Sequence, residues 1–235
     1  MLASGRGVGG ARRLRGPGAP STFPPLSHPI TRRRMSEISP ASIEGWYVLH
    51  QMFSLDWGRV AAMSDDERRA LIGEADGLLE SLAAPSSAGW SAAFRLVGGG
   101  ADLMLMHLRP TLDELSDTEL RVRRSALGPL LRLAYDYTSV TEVGLYGATA
   151  QAAQEAEPGS EAYESLLAQL VEAERGSAHI RPRLYPEIPE GMRYVSFYPM
   201  TKRRVHPDNW YALPVAQRNA LMREHGQSGR RFAGR

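Results

Sequence analysis

From Glu44 to Asp56 the sequence EGWYVLHQMFSLD sets large side chains on both parities, the pattern of a strand covered on both faces. Ser64-Asp65-Asp66-Glu67 then forms a capping box, in which the serine side chain caps the helix start and the glutamate reaches back to it. Leu71, Ala75, Leu78 and Leu82 supply the apolar stripe of the helix this box opens, which should end near Ala83 and Ala84, ahead of Pro85. Two strands follow, Trp90 to Val97 and Ala101 to Leu108, joined by Gly98-Gly99-Gly100, a tight-hairpin signal. Thr111 to Glu114 and Ser116 to Glu119 are two further capping boxes in close succession, predicting a second helix to about Leu127, and Ala134 to about Leu145 predicts a last strand. The order strand, helix, strand, strand, helix, strand over residues 44–146 predicts an α+β, ferredoxin-like unit: an antiparallel sheet with both helices on one face.

Residues 147–180 are predicted as a linker, small and polar around Pro158-Gly159, with a short amphipathic helix from Glu161 to Glu174. Beyond Arg181-Pro182 the pattern begins again, over residues 181–235. Met192 to Arg203 (MRYVSFYPMTKR) predicts a strand, and Pro214 opens a helix at its favoured first position that runs through Leu221 and His225. One whole unit is thus followed by the first strand and helix of another, an incomplete dimeric α+β barrel. A sheet begun and not finished leaves an edge and an uncovered apolar face, so the expectation is a chain shorter than its architecture or completed by another chain.

Charge divides the chain unevenly. The net charge is +2, yet residues 1–34 hold seven Arg and no acid, leaving 21 basic against 26 acidic residues, a net of −5, for the rest. Residues 1–43, rich in Arg, Gly and Pro, are predicted to be a disordered leader, and Met35-Ser-Glu-Ile reads as the start of the body. The leader lacks the continuous apolar core of a secretory signal, and no apolar run approaches the ~20 residues of a membrane span. The absence of cysteine excludes disulfides, thiolate metal sites and a Cys nucleophile, and suits a reducing compartment, here expected to be the cytoplasm.

Of the 28 basic residues 27 are Arg, and Lys202 is the single lysine. Either a chain that uses Arg wherever a generic cation serves keeps an ammonium where a compact point charge is needed, or one lysine has survived by chance. On a strand, Ser196, Tyr198, Met200 and Lys202 share one face, with Tyr198 and Lys202 about 13 Å apart at ~3.3 Å per residue. That spacing suits a phenol and an ammonium at different points around a large planar ligand, or a core tyrosine and a strand-end lysine. His225 follows Leu221 by four residues and so shares the apolar face of its helix. No second His lies at i+3 or i+4, so a metal held by His225 would need a cofactor to supply its other ligands. His50 and His107 fall inside strands, His179 and His206 in loops, and the triple glycine is not a phosphate loop, since no Lys-Ser/Thr follows it.

Four stretches in order, Tyr198-Pro-Met-Thr-Lys-Arg-Arg, Asn209-Trp-Tyr-Ala-Leu-Pro, Leu221-Met-Arg-Glu-His225-Gly and Gly229-Arg-Arg-Phe-Ala-Gly, resemble the coproheme decarboxylases of the chlorite-dismutase-like haem proteins. Gly45-Trp-Tyr-Val-Leu-His and Asp56-Trp57 are similar to that family's first strand. The resemblance implies two fused ferredoxin-like units, usually assembled as a homopentamer. It implies conversion of iron coproporphyrin III to haem b by oxidative decarboxylation of two propionates to vinyl groups with hydrogen peroxide. Tyr198 matches the tyrosine oxidised to a radical that abstracts hydrogen, Lys202 the lysine holding the second reacting propionate, and His225 the proximal iron ligand. Arg183 and Tyr185 match propionate-side anchors, and Pro199, Met200 and Thr201 complete the cofactor-binding run with Tyr198 and Lys202. The family's distal Gln or His, and its remaining propionate contacts, would lie beyond Arg235.

Three other readings stand beside this one. Chlorite dismutation relies on a distal Arg and does not require the Tyr-Lys pair, and a haem-binding protein could keep the iron ligand without turnover. An Arg-rich nucleic-acid arm would show salt-sensitive binding lost on deleting residues 1–34, but the acidic body argues against it.

Overall fold

A computed structural model describes residues 39–188, 191 and 193–232. The expected leader, including Met35, lies almost wholly outside the described residues, as do Met192 and the last three positions.

The ferredoxin-like order is present. Strand β1 (Ser42–Leu55) leads through α1 (Trp57–Ala62) and α2 (Asp65–Ala83) to β2 (Trp90–Arg95) and β3 (Leu103–Arg109), then through α3 (Leu112–Arg124) to β4 (Leu131–Gly144). The four strands pair antiparallel in the order β2-β3-β1-β4, with Leu49 opposite His107 and Thr138 and His50 opposite Met106 and Tyr137. Two of the three expected capping boxes form: Ser64 with Glu67 opens α2 and Thr111 with Glu114 opens α3. Ser116 lies inside α3 and opens nothing, because the helix already begins at Thr111. Gly98, Gly99 and Gly100 all take positive φ, which is the reason three glycines stand in the connection from β2 to β3.

Helices α2 and α3 cover one face of the sheet, where Phe53, Leu82, Leu105 and Val122 form a closed cluster. A second cluster sits at the far end of β1 and β4. There Ile43, Val143 and Leu145 pack with Ile180 and Leu184, the latter carried by α6 (Arg181–Leu184). Gly45 allows this contact: a Cβ there would collide with the carbonyl oxygen of Leu184.

Three features differ from the sequence pattern. Residues 147–155, expected as linker, belong to a helix, α4 (Tyr146–Glu155), whose buried face is made of Thr149, Ala150 and Ala152. These side chains are too small to raise a hydrophobic signal but allow close packing. Helix α5 (Glu161–Arg175) follows where one was expected. The strand expected over Met192–Arg203 is absent: residues 193–203 join no ladder. A strand needs a neighbour to bond, no strand among the described residues adjoins it, and Pro199 has no N–H to offer. The shared face and the Tyr198–Lys202 spacing expected from strand geometry therefore lose the ladder they were argued from. Helix α7 (Val215–Arg230) forms, with Pro214 as its cap residue and not its first turn.

Candidate functional site

The sheet face opposite α2 and α3 carries Val48, His50, Met52, Met104, Met106, Leu108, Tyr135 and Tyr137, since directly paired residues point the same way. Across it runs the chain after α6. Tyr185 meets Trp46 edge-on at 5.4 Å, the Trp90 indole N–H donates to the Pro186 carbonyl at 2.7 Å, and the Phe197 ring lies 4.5 Å from that of His50 and about 6 Å from those of Tyr135 and Tyr137. Phe197 is thus the tether that brings the Tyr198–Lys202 run to the open face. A bond from the Thr141 hydroxyl to the Leu184 carbonyl (2.7 Å) fixes the end of α6 against β4, and with it Arg183 and Tyr185.

Beside this tether Tyr198 is 65% exposed, and Pro199, Met200, Thr201 and Lys202 are exposed as well. Lys202 is the most restrained of them. Its Nζ stands 4.6 Å from the centre of the Trp210 ring, a cation–π contact, and Trp210 in turn packs edge-on against Tyr146 at the start of α4. The backbone closes the same loop, with the Trp210 N–H donating to the Arg203 carbonyl at 3.0 Å and Arg203 paired with Asp208 at 2.9 Å.

His225 lies in the second half of α7. The helix packs on α4, and its buried residues are Val215 and Arg218. Seven residues, close to two turns, separate Arg218 from His225, so both fall on one stripe, yet His225 is exposed. Its imidazole and the Tyr198 phenol make no hydrogen bond or ion pair among the described residues. The structure ties Lys202 to Trp210 and Tyr185 to Trp46; it records no direct contact among Tyr198, Lys202 and His225.

Charge concentrates here. Residues 181–204 carry Arg181, Arg183, Arg193, Lys202, Arg203 and Arg204 against Glu187 and Glu190, in a body that is otherwise acidic. Arg203 is engaged by Asp208 and Arg204 lies over the Tyr211 ring, whereas Arg181, Arg183 and Lys202 have no carboxylate partner among the described residues. Sequence reasoning missed Trp210 as the support of Lys202, although both stood in the quoted stretches. It also passed over the buried group of Ser91, His107 and Arg109, whose assembly depends on strand register.

A ferredoxin-like sheet with an aromatic open face, crossed by a basic segment that leads to a histidine-bearing helix, defines the class. The chlorite dismutase family profile matches residues 68–235, and the chain belongs to that family. It is similar to the structure of a haem-binding protein from Thermus thermophilus, at 33% identity over 84% of this chain and 71% of that one, with a TM-score of 0.64. A mutant chlorite dismutase from Candidatus Nitrospira defluvii matches at 20% identity over 48% of each chain, with a TM-score of 0.39. No helix among the described residues is long and apolar enough to cross a membrane.

Proposed function

We propose that this chain belongs to a coproheme decarboxylase, which binds iron coproporphyrin III and converts two of its propionates to vinyl groups with hydrogen peroxide, yielding haem b. The observation that carries this reading is the set Tyr198, Lys202 and His225. These are an exposed phenol with no hydrogen bond among the described residues, the one lysine of the chain held by an indole, and an exposed imidazole on a packed helix. The residues present fit such a substrate: an imidazole without a hydrogen-bond partner among the described residues can ligate iron, and Arg183 and Lys202, with no carboxylate partner among them, suit carboxylates. The aromatic sheet face suits a flat macrocycle.

In each half of the reaction a propionate, a peroxide and a proton give a vinyl group, carbon dioxide and two waters. Peroxide is the oxidant, and the bound iron would supply the redox chemistry that makes its oxidising power available. His225 would hold the metal from one side through a ring nitrogen. Tyr198 would give up its phenolic hydrogen and then take one from the propionate carbon next to the ring. Lys202, its ammonium steadied over Trp210, would hold the second reacting carboxylate as a point charge, with Arg183 and Tyr185 anchoring the others. Pro199, Met200 and Thr201 would line the substrate edge between the two reacting groups.

A second reading, haem binding without turnover, is favoured by the similarity to the Thermus haem-binding protein. Adding peroxide to the complex of the full chain with iron coproporphyrin III and identifying the porphyrin by mass separates the two. A divinyl product that disappears in Tyr198→Phe, with binding retained, supports the decarboxylase. A shifted Soret band with unchanged porphyrin supports the binder.

A further inference from the structure

From Arg193 to Asp208 every residue is exposed except Phe197. Residues 193–203 join no ladder, and between the Trp90–Pro186 hydrogen bond and the Lys202–Trp210 contact the Phe197 ring makes the only ring contacts to another element among the described residues. One side chain therefore seats this stretch on the sheet.

Strand register builds the seat. His50 on β1 stands opposite Tyr137 on β4, and Tyr135 lies two residues along the same strand, so the three rings rise from one face. The Phe197 ring lies 4.5 Å from His50 at a tilt of 32°, 6.0 Å from Tyr137 and 6.3 Å from Tyr135, all within the range of favourable aromatic pairs. Burial lowers the His50 pKa, so at neutral pH this ring is uncharged and packs as an aromatic.

The next residue is Tyr198, 65% exposed and with no hydrogen bond among the described residues, so its place is set through the backbone. Consecutive Cα atoms lie ~3.8 Å apart across a trans peptide, so a seated Phe197 fixes the origin of the phenol and leaves its tip open to a ligand. We infer that Phe197, held by His50, Tyr135 and Tyr137, is a positioning residue for Tyr198, a role that rests on the decarboxylase reading for its reaction. It acts through Tyr198 and not on the substrate. Misplacing a reacting group by about 1 Å can cost about a hundredfold in rate, so unseating this ring is measurable.

The full chain with ferric coproporphyrin III tests this. Phe197→Ala should slow the first decarboxylation by peroxide at least tenfold while the affinity found by Soret titration changes less than twofold. His50→Ala should act in the same direction, His50→Phe should restore the rate by returning a flat ring, and Phe197→Ala with His50→Ala together should be no slower than Phe197→Ala alone, since both remove one contact. A 3-fluorotyrosine at position 198 reports the phenol's place without turnover: its relaxation by the bound iron should weaken at least twofold in Phe197→Ala. Three results overturn the inference: an unchanged rate with unchanged fluorine relaxation, rate and affinity falling in proportion, or additive losses in the double variant. If the unsubstituted chain gives no vinyl product, the decarboxylase reading fails while the fluorine comparison still decides the positioning. A fluorine that the iron does not relax even in the unsubstituted chain contradicts both.

Discussion

Lys202 holds its ammonium 4.6 Å from the centre of the Trp210 ring, and Trp210 is itself braced edge-on by Tyr146. An exposed cation–π contact contributes about 0.5–1 kcal/mol. Its larger effect is to narrow the positions open to a flexible side chain. Trp210→Ala should therefore leave iron coproporphyrin bound but slow removal of the second propionate, so that a monovinyl intermediate accumulates in a peroxide time course. Equal slowing of both steps would assign Trp210 to binding and not to Lys202.

Gly45 is where β1 and α6 touch. Gly45→Ala drives a Cβ into the Leu184 carbonyl, and overpacking of this kind costs typically about 1–3 kcal/mol. Urea denaturation should show the loss. Because Arg183 and Tyr185 hang on α6, porphyrin affinity should fall with it, whereas Gly73→Ala, inside α2 with open space around it, should raise stability by about 0.5–1 kcal/mol and leave porphyrin affinity unchanged.

The Thr111 hydroxyl caps α3 and Glu114 returns the bond. Thr111→Ala should lower stability by about 1 kcal/mol in the same denaturation experiment, with no effect on porphyrin binding, since α3 lies on the opposite face.

These elements show how far the pattern reaches. The capping boxes, the glycine hairpin and the order of strands were legible because each rests on neighbours within a few residues. Helix α4 was not, since alanine and threonine carry its buried face. The segment after Gly191 carries strand-like side chains but no ladder, because pairing is a property of two segments and only one is described. For the site, the residue types at Tyr198, Lys202 and His225 stood out in the sequence. The braces did not: Phe197 meets His50 across a long stretch of chain, and Trp210, only a few positions beyond Lys202, is set beneath it by the distant Tyr146 of α4.

Burial pushes the His107 imidazole down from 6.5 to about 3, with the Arg109 and His50 charges adding to it, and His50 is lowered in the same direction by its own burial. A histidine whose folded pKa lies below its unfolded value leaves the unfolded chain to take the proton first. Stability is then full above about pH 6.5 and is lost as pH falls towards 3. Between pH 7 and 5, where ordinary carboxylates stay ionised, His107 alone should remove on the order of 2 kcal/mol. Denaturation midpoints at the two pH values check this, and His107→Phe should flatten most of the dependence.

The central claim is that Tyr198, Lys202 and His225 surround one tetrapyrrole. A crystal structure of the full chain with iron coproporphyrin III tests it most directly. The account predicts the His225 imidazole on the iron, with the Tyr198 hydroxyl and the Lys202 ammonium each beside a propionate of the same molecule. Iron held by another residue, or a porphyrin lying away from Tyr198 and Lys202, would contradict it.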